Sequence, residues 1–381
     1  MQAQPLDAET NKKGKTLYLE GVRGFACLMV ILSHLVYEYV PHWHASFRFP
    51  IRTKIDSFMA NAPFGFIYSG NTAVSIFFVL SGIVLTKVIL NSKNPYQSIT
   101  SSVTKRYFRL ALPAVFSCIL IYIASVVSMH FGIKPQINNA SLLGAIKSGA
   151  IDSFFSDSPL YNVVLWTMKI ELFGSLLVFF MCACMISSGR KNLVVILFLL
   201  ISILSIKQSS DIYYLLFILG SAIEINKPTF GIKMFTLLAF LAAYLSGYHY
   251  QNSSYETLNS FTFNVNDVKI ENSQIYNGIA GLLFVMSVCA YKKAENIFSN
   301  SFFVFLGKLS FSAYLVHMVV IFYINKLFIS YFTEYAVGVV ILSFVSIIVT
   351  YLISVIFELS IDKFSIKLSN SIGRFFVKKG S

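Results

Sequence analysis

The chain has 381 residues, of which 56% are hydrophobic and only 12% charged, against about 25% charged in soluble domains; its mean hydropathy is +0.69. That deficit excludes a soluble globular enzyme, and the apolar content excludes a disordered chain. The excess of 30 Lys and Arg over 17 Asp and Glu gives a net charge of +13, which in a membrane protein belongs to cytoplasmic loops and not to nucleic-acid binding.

At ~20 residues per crossing, the sequence predicts an all-α polytopic membrane helix bundle with about ten transmembrane helices. Residues 1–18 read as a polar cytoplasmic N-terminal tail with Lys12, Lys13 and Lys15. The apolar run behind it continues to Pro41 without a small-residue cleavage site, so it reads as a retained first helix and not a signal peptide. Apolar stretches fall at about 21–40, 70–90, 104–129, 161–187, 192–206, 211–226, 232–249, 275–291, 303–329 and 335–358. The runs at about 192–206 and 211–226 are short and tightly linked through Lys207 to Ser210, as in a helical hairpin that does not cross fully. The transmembrane domain occupies 19–360, and 361–381 form a basic cytoplasmic C-terminal tail. No large soluble domain is left over.

With ten crossings, most Lys and Arg residues fall on the side of the N-terminus, which places both termini in the cytoplasm. The outer segments at about 41–69 and 250–274 are longer than simple turns. In the second, Phe261, Phe263 and Val265 alternate, as in a short extended piece. Cys27, Cys118, Cys182, Cys184 and Cys289 all lie in apolar runs and read as buried free thiols. Neither a CxxC pair nor a Cys/His metal spacing occurs, so no metal is expected.

Ionisable groups inside spans are expensive unless they face a cavity or a partner, and they direct attention to five places. In the first helix, Arg23 and His34 are 11 residues apart; at about 100° per residue both lie on one face, about 16 Å apart along the axis. Glu38 follows His34 on that face, within reach of the imidazole or as a solvated helix end. The second helix carries Phe77 to Gly82, in which Ser81 and Gly82 suit close helix packing. In the third, Arg106 and Arg109 share a face at i, i+3; two forked donors there suit a phosphate-rich ligand, or positive anchoring at the inner surface. In the fourth, Glu171 falls about 15 Å in from Tyr161, near mid-membrane, where a carboxylate must be protonated, paired or in a wet cavity. In the ninth, Ser310, Tyr314 and His317 form one stripe, which suits an interhelical hydrogen-bond seam.

No P-loop, His-Glu-x-x-His or Gly-x-Ser-x-Gly pattern occurs, which leaves ATP hydrolysis, zinc proteolysis and serine-hydrolase chemistry without support. Taken together, the polar motifs resemble the acyltransferase-3 family of integral-membrane acyltransferases, which includes bacterial surface-polysaccharide O-acetyltransferases. The matching residues are Leu19-Glu20-Gly21-Val22-Arg23-Gly24, the Arg-x10-His pair Arg23 and His34, Phe77 to Gly82, Arg106 and Arg109 with Leu110 and Pro113, Trp166 to Glu171, and Leu306-Gly307 to His317. They come in the family's order and span nearly the whole chain. Glu20 stands where the family commonly has Asp, and Lys169 stands inside the Trp-Ser-Leu-x-x-Glu pattern.

The resemblance implies an acyl-CoA donor, acetyl-CoA first among them, reaching the protein from the cytoplasm. It implies transfer of an acetyl or similar short acyl group to a hydroxyl, often of a carbohydrate acceptor, in the inner membrane of a bacterium. The esterase-like domain fused to some members is not expected, since the chain stops about 20 residues after the last span. Joined to the residues, it gives Arg106 and Arg109 as the coenzyme A site and His34, Glu171 and Arg23 as catalytic residues. His34 is the base or the acyl carrier, Glu171 orients a group, and Arg23 binds the donor or steadies the first helix. A polytopic transporter or translocase with the same buried charges is the alternative, although neither paired broken helices nor repeated halves are visible.

Overall fold

A chain this apolar must satisfy its backbone internally wherever lipid replaces water, and it does so as helices almost throughout. The computed structural model describes residues 6–44, 54–61, 63–156, 161–250, 252–332 and 335–378. The main helices are α1 (Leu6–Tyr39), α2 (Gly70–Leu90), α3 (Pro95–His130), α4 (Trp166–Ser188), α5 (Lys191–Leu204) and α6 (Tyr213–Asn226). They continue as α7 (Ile232–Ser246), α8 (Asn272–Ala290), α9 (Ser301–Phe328), α10 (Tyr335–Phe357) and α11 (Lys363–Lys378). Local signals mark several boundaries. Ser69 accepts from the Thr72 amide ahead of α2, and Pro95 opens α3. Gly189 adopts a φ of +69° to close α4, and the Asn300 side chain caps α9.

The protein is an all-α membrane bundle. Among the described residues, seven helical stretches are long and apolar enough to cross a membrane: Leu17–Tyr39, Gly70–Leu90, Pro95–His130, Val163–Ser188, Asn272–Ala290, Ser301–Tyr331 and Tyr335–Val377. The other three expected spans are helices too, but α5, α6 and α7 have only 14, 14 and 15 residues. At 1.5 Å per residue each is about 21–23 Å long, short of the ~30 Å hydrocarbon core. Of the ten expected spans, seven are therefore helices long enough to cross, and three are shorter than a crossing. Helix α1 already begins at Leu6, so most of the polar tail continues it as helix. In the other tail, α11 lies along the first half of α3.

The central seam joins α1 to α9. The two run parallel: Cys27 Sγ donates to the Ser310 carbonyl (3.2 Å), the His34 ring lies tilted beside that of His317, and Glu38 accepts from Asn325. Their close approach requires glycine. A Cβ on Gly24 would lie 2.5 Å from the Gly307 nitrogen, and one on Gly307 only 2.0 Å from the Glu20 carbonyl oxygen. The same device joins α2 to α6, where a Cβ on Gly82 would meet the Phe217 carbonyl at 2.1 Å and one on Gly220 that of Val79 at 2.2 Å. In a membrane, helix association relies on such packing because lipid is as apolar as the helices. Phe78 fills the space beside that contact, stacked on Phe217 at 5.3 Å.

The extended piece expected near 261–265 is a strand, β1 (Phe263–Val265), paired antiparallel with β2 (Val268–Ile270). Asn266 and Asp267 turn between them with positive φ, the signature of a type I′ hairpin. All five cysteines are free. Cys27, Cys118 and Cys182 are buried, while Cys184 and Cys289, expected to be buried as well, are half-buried.

Gly24→Ala is expected to destabilise the purified protein by about 1–3 kcal/mol, because the clash is with backbone and outweighs the helix propensity of alanine. At Gly278 of α8 a Cβ meets only a Leu216 methyl at 4.0 Å. Gly278→Ala should therefore hold or raise the melting temperature, by up to about 1 kcal/mol of stability. Equal melting shifts for the two variants would remove the close-packing account of the α1–α9 seam.

Candidate active site

Helices α1, α2, α3, α4 and α9 enclose a cavity of about 280 Å³. Its polar end is charged. Arg23 and Glu20 pair at 3.1 Å within α1. Arg106 of α3 pairs with Glu171 of α4 and donates through Nε to Ser175 Oγ at 2.8 Å. Ser81 of α2 donates to the same Glu171 oxygen at 2.8 Å. One turn along α3, Arg109 makes a two-point contact with Asp362, beyond α10, at 2.5 and 3.0 Å. Phe311 lies under that guanidinium at 5.3 Å. Lys308 also lines the cavity and has no ion-pair partner among the described residues. Four cations thus face three carboxylates.

From there the walls become apolar, through Phe77, Phe78, Met168 and Phe311, and reach Tyr314. The Tyr314 hydroxyl donates to the Val164 carbonyl (2.7 Å) and lies 2.9 Å from Thr167 Oγ1. Its ring is 5.8 Å from His317, and His317 is 5.1 Å from His34. The His317 Nδ1 contacts the Ala313 carbonyl at 3.1 Å. Its Nε2 is buried without a hydrogen-bond partner among the described residues, a polar atom left for a ligand or water.

A second layer of imidazoles lies above His34. The His44 Nε2 donates to the Ser33 carbonyl at 3.1 Å, and its ring is 5.1 Å from those of Tyr68 and His249. Burial pushes His44 below its ordinary value and His249 down to about 3. Both are neutral at pH 7. As pH falls from 6.5 toward 3, stability falls too, because the unfolded chain takes up protons that the folded one does not.

The sequence-derived residues fall into two groups. Arg23, Arg106, Arg109 and Glu171 meet in one cavity. His34 is not in its lining; Tyr314 and His317 stand between. Glu38 bonds Asn325 and not His34. Glu171 is the paired carboxylate that its depth demanded. Ser81, expected only to help packing, is one of its hydrogen-bond donors. Asp362 and Lys308 complete the charged end without any sequence signal for their role, whereas His317 carried one in its stripe with Tyr314.

The model of the acyltransferase-3 family, described as an acyltransferase domain, matches residues 16–357. The chain belongs to this family. No curated protein and no solved structure gives a significant match. Membership makes the protein a membrane acyltransferase, and the transporter alternative gives way to it. In this acyltransferase the Arg-x10-His motif connects the two groups, with Arg23 at the charged cavity and His34 at the histidine pair.

Glu171→Gln should cost about 3–5 kcal/mol of stability, because it leaves the Arg106 guanidinium buried without its counter-charge. Adding Arg106→Gln should recover part of that loss, with a coupling of about 1–3 kcal/mol between the two sites. Thermal melts of the three variants in detergent test this; additive losses would mean that the pair does not hold α3 to α4.

Proposed function

We propose that this acyltransferase moves an acetyl or similar short acyl group from cytoplasmic acyl-CoA to a sugar hydroxyl, on a surface polysaccharide or its lipid-linked precursor. The observation that carries this reading is one cavity with a cationic mouth and an apolar shaft that ends beside a histidine pair. Phosphates of coenzyme A suit the mouth. A guanidinium has five donors, and the ion pairs of Arg106 and Arg109 leave some of them for a ligand. Arg23 and Lys308 add charge at the same rim. The apolar shaft suits the pantetheine arm, with the thioester toward Tyr314.

In this reading His34 removes the proton from the acceptor hydroxyl as the oxygen attacks the thioester carbonyl. The carbon–sulfur bond breaks, and the imidazolium returns the proton to the departing thiolate. No net proton is released. His317 positions His34 through ring contact, and Glu171 orients Arg106 instead of acting as the base. The protein sits in the bacterial inner membrane with both termini cytoplasmic. Charge supports that orientation: Lys93, Lys105, Lys292 and Lys308 all belong to the end that carries the cationic mouth.

Two measurements test the proposal. Purified His34→Ala should bind acetyl-CoA like the parent and lose transfer by about 10²–10⁴-fold. Arg109→Ala should weaken acetyl-CoA binding by roughly 10- to 100-fold, with Lys rescuing only part. Substantial transfer by His34→Ala, or unchanged donor affinity in Arg109→Ala, counts against the roles given. For orientation, single cysteines are placed at Lys93 and Lys269, both exposed, in a cysteine-free background. An impermeant thiol reagent applied to intact cells should label Lys269→Cys and spare Lys93→Cys. Equal labelling would reject both termini being inside.

A further inference from the structure

Among the seven long helical stretches, the one that contains α10 is the most open to lipid: 22% of its apolar part is buried, against 44–78% in the other six. Phe344, Ile348, Leu352 and Ile356 form an exposed row along α10, about one turn apart. The chain continues beyond that row. A short wide helical turn, Glu358–Asp362, carries it into α11, which lies beside α3 at the end of the bundle where Asp362 meets Arg109.

The sequence of α11 divides into three sectors. At about 100° per residue, Ser365, Ser369 and Gly373 share one side, Phe364 and Leu368 a second, and Lys363, Lys367 and Arg374 a third. The side of small residues is packed on α3. Ser365 Oγ donates to the Arg109 carbonyl at 3.2 Å, and a Cβ on Gly373 would lie 2.7 Å from Ser101 Oγ. The other two sides are exposed. Phe364 and Leu368 extend the apolar surface of α10 onto α11. The basic side is not neutralised from within the helix, because α11 contains no Asp or Glu. Lys363 lies 3.8 Å from Glu358, ahead of the helix, and the Arg374 Nε donates to the Asn370 carbonyl.

An apolar sector beside a basic one suits a helix at a membrane interface, with the apolar side toward acyl chains and the cations among headgroups. A zwitterionic surface answers the first sector only. An anionic surface answers both, and each Lys or Arg near it favours association about five-fold.

We propose that α11 is a docking surface for anionic phospholipids. Phe364 and Leu368 enter the acyl-chain boundary, and Lys363, Lys367 and Arg374 hold headgroup phosphates. Asp362, which grips Arg109, immediately precedes the helix. Lipid seated on α11 therefore steadies the charged end of the cavity as well. Such docking requires only the membrane bundle and is independent of the acyl-transfer chemistry.

The test uses the full-length protein in a cysteine-free background with Ser371→Cys, an exposed position between the apolar and basic sectors. The cysteine is labelled with bimane, and the protein is placed in phosphatidylcholine nanodiscs. A minor fraction of the lipid is replaced by brominated phosphatidylglycerol, or by the same fraction of brominated phosphatidylcholine; the bromines quench the dye on contact. The anionic lipid should quench at least about 3-fold more strongly. Lys363→Gln, Lys367→Gln and Arg374→Gln together should remove that preference and leave quenching by brominated phosphatidylcholine. Phe364→Asn with Leu368→Asn should weaken quenching by both lipids. All five side chains are exposed, so these variants keep the packed core of the bundle. Absence of quenching by either lipid, equal quenching by both in the parent, or a preference that survives loss of the three cations overturns the docking surface.

Discussion

A guanidinium inside an apolar bundle persists only if its charge is answered at close range. Arg106 meets that condition through Glu171 and Ser175 of α4, while Ser81 of α2 bonds the same carboxylate. One turn away Arg109 is answered by Asp362. These contacts fix α3 against α2, α4 and the segment beyond α10. The shape of the charged cavity follows, because its walls are the same helices held at those points. The ion pairs also give the guanidiniums fixed directions, so their remaining donors are aimed before any ligand arrives.

The seam between α1 and α9 works by a different force. No ion pair holds it among the described residues; glycines let the two backbones approach so closely that a Cβ has no room. Interleaving small residues with charged ones allows one short motif to do both jobs. In Leu19 to Gly24, the glycines lock the helix to its neighbour while Glu20 and Arg23 line the cavity. Three turns further, the same parallel contact brings His34 to His317. A shift of α1 against α9 would separate the histidines and move Arg23 at the same time, so charged cavity and histidine pair are mechanically joined.

Helix α4 has a comparable double role. Its charged face completes the charged cavity, and its opposite face, with Trp166 and Lys169, contributes to a second cavity of about 390 Å³. Lys169, the departure from the family pattern, therefore belongs to a different compartment from Glu171, although the two are only two residues apart. Its charge does not compete with Arg106 for the carboxylate.

Composition and periodicity determined the solvent of this protein, its helical class and which residues share a helix face. Arg23 with His34 and Arg106 with Arg109 were legible because 3.6 residues per turn is a local rule. The depth of Glu171 was legible too, and with it the need for a partner. The partner's identity was not. Asp362 lies 253 residues from Arg109, and Ser81 lies 90 residues from Glu171; no local rule joins them. Nor does apolar content say that α5, α6 and α7 stop at about 21–23 Å, since helix ends are set by caps and packing as well as by hydropathy. Which face of one helix meets which face of another was decided only in three dimensions, because in lipid that choice rests on shape, glycine clearance and charge pairing between segments that the chain order keeps far apart.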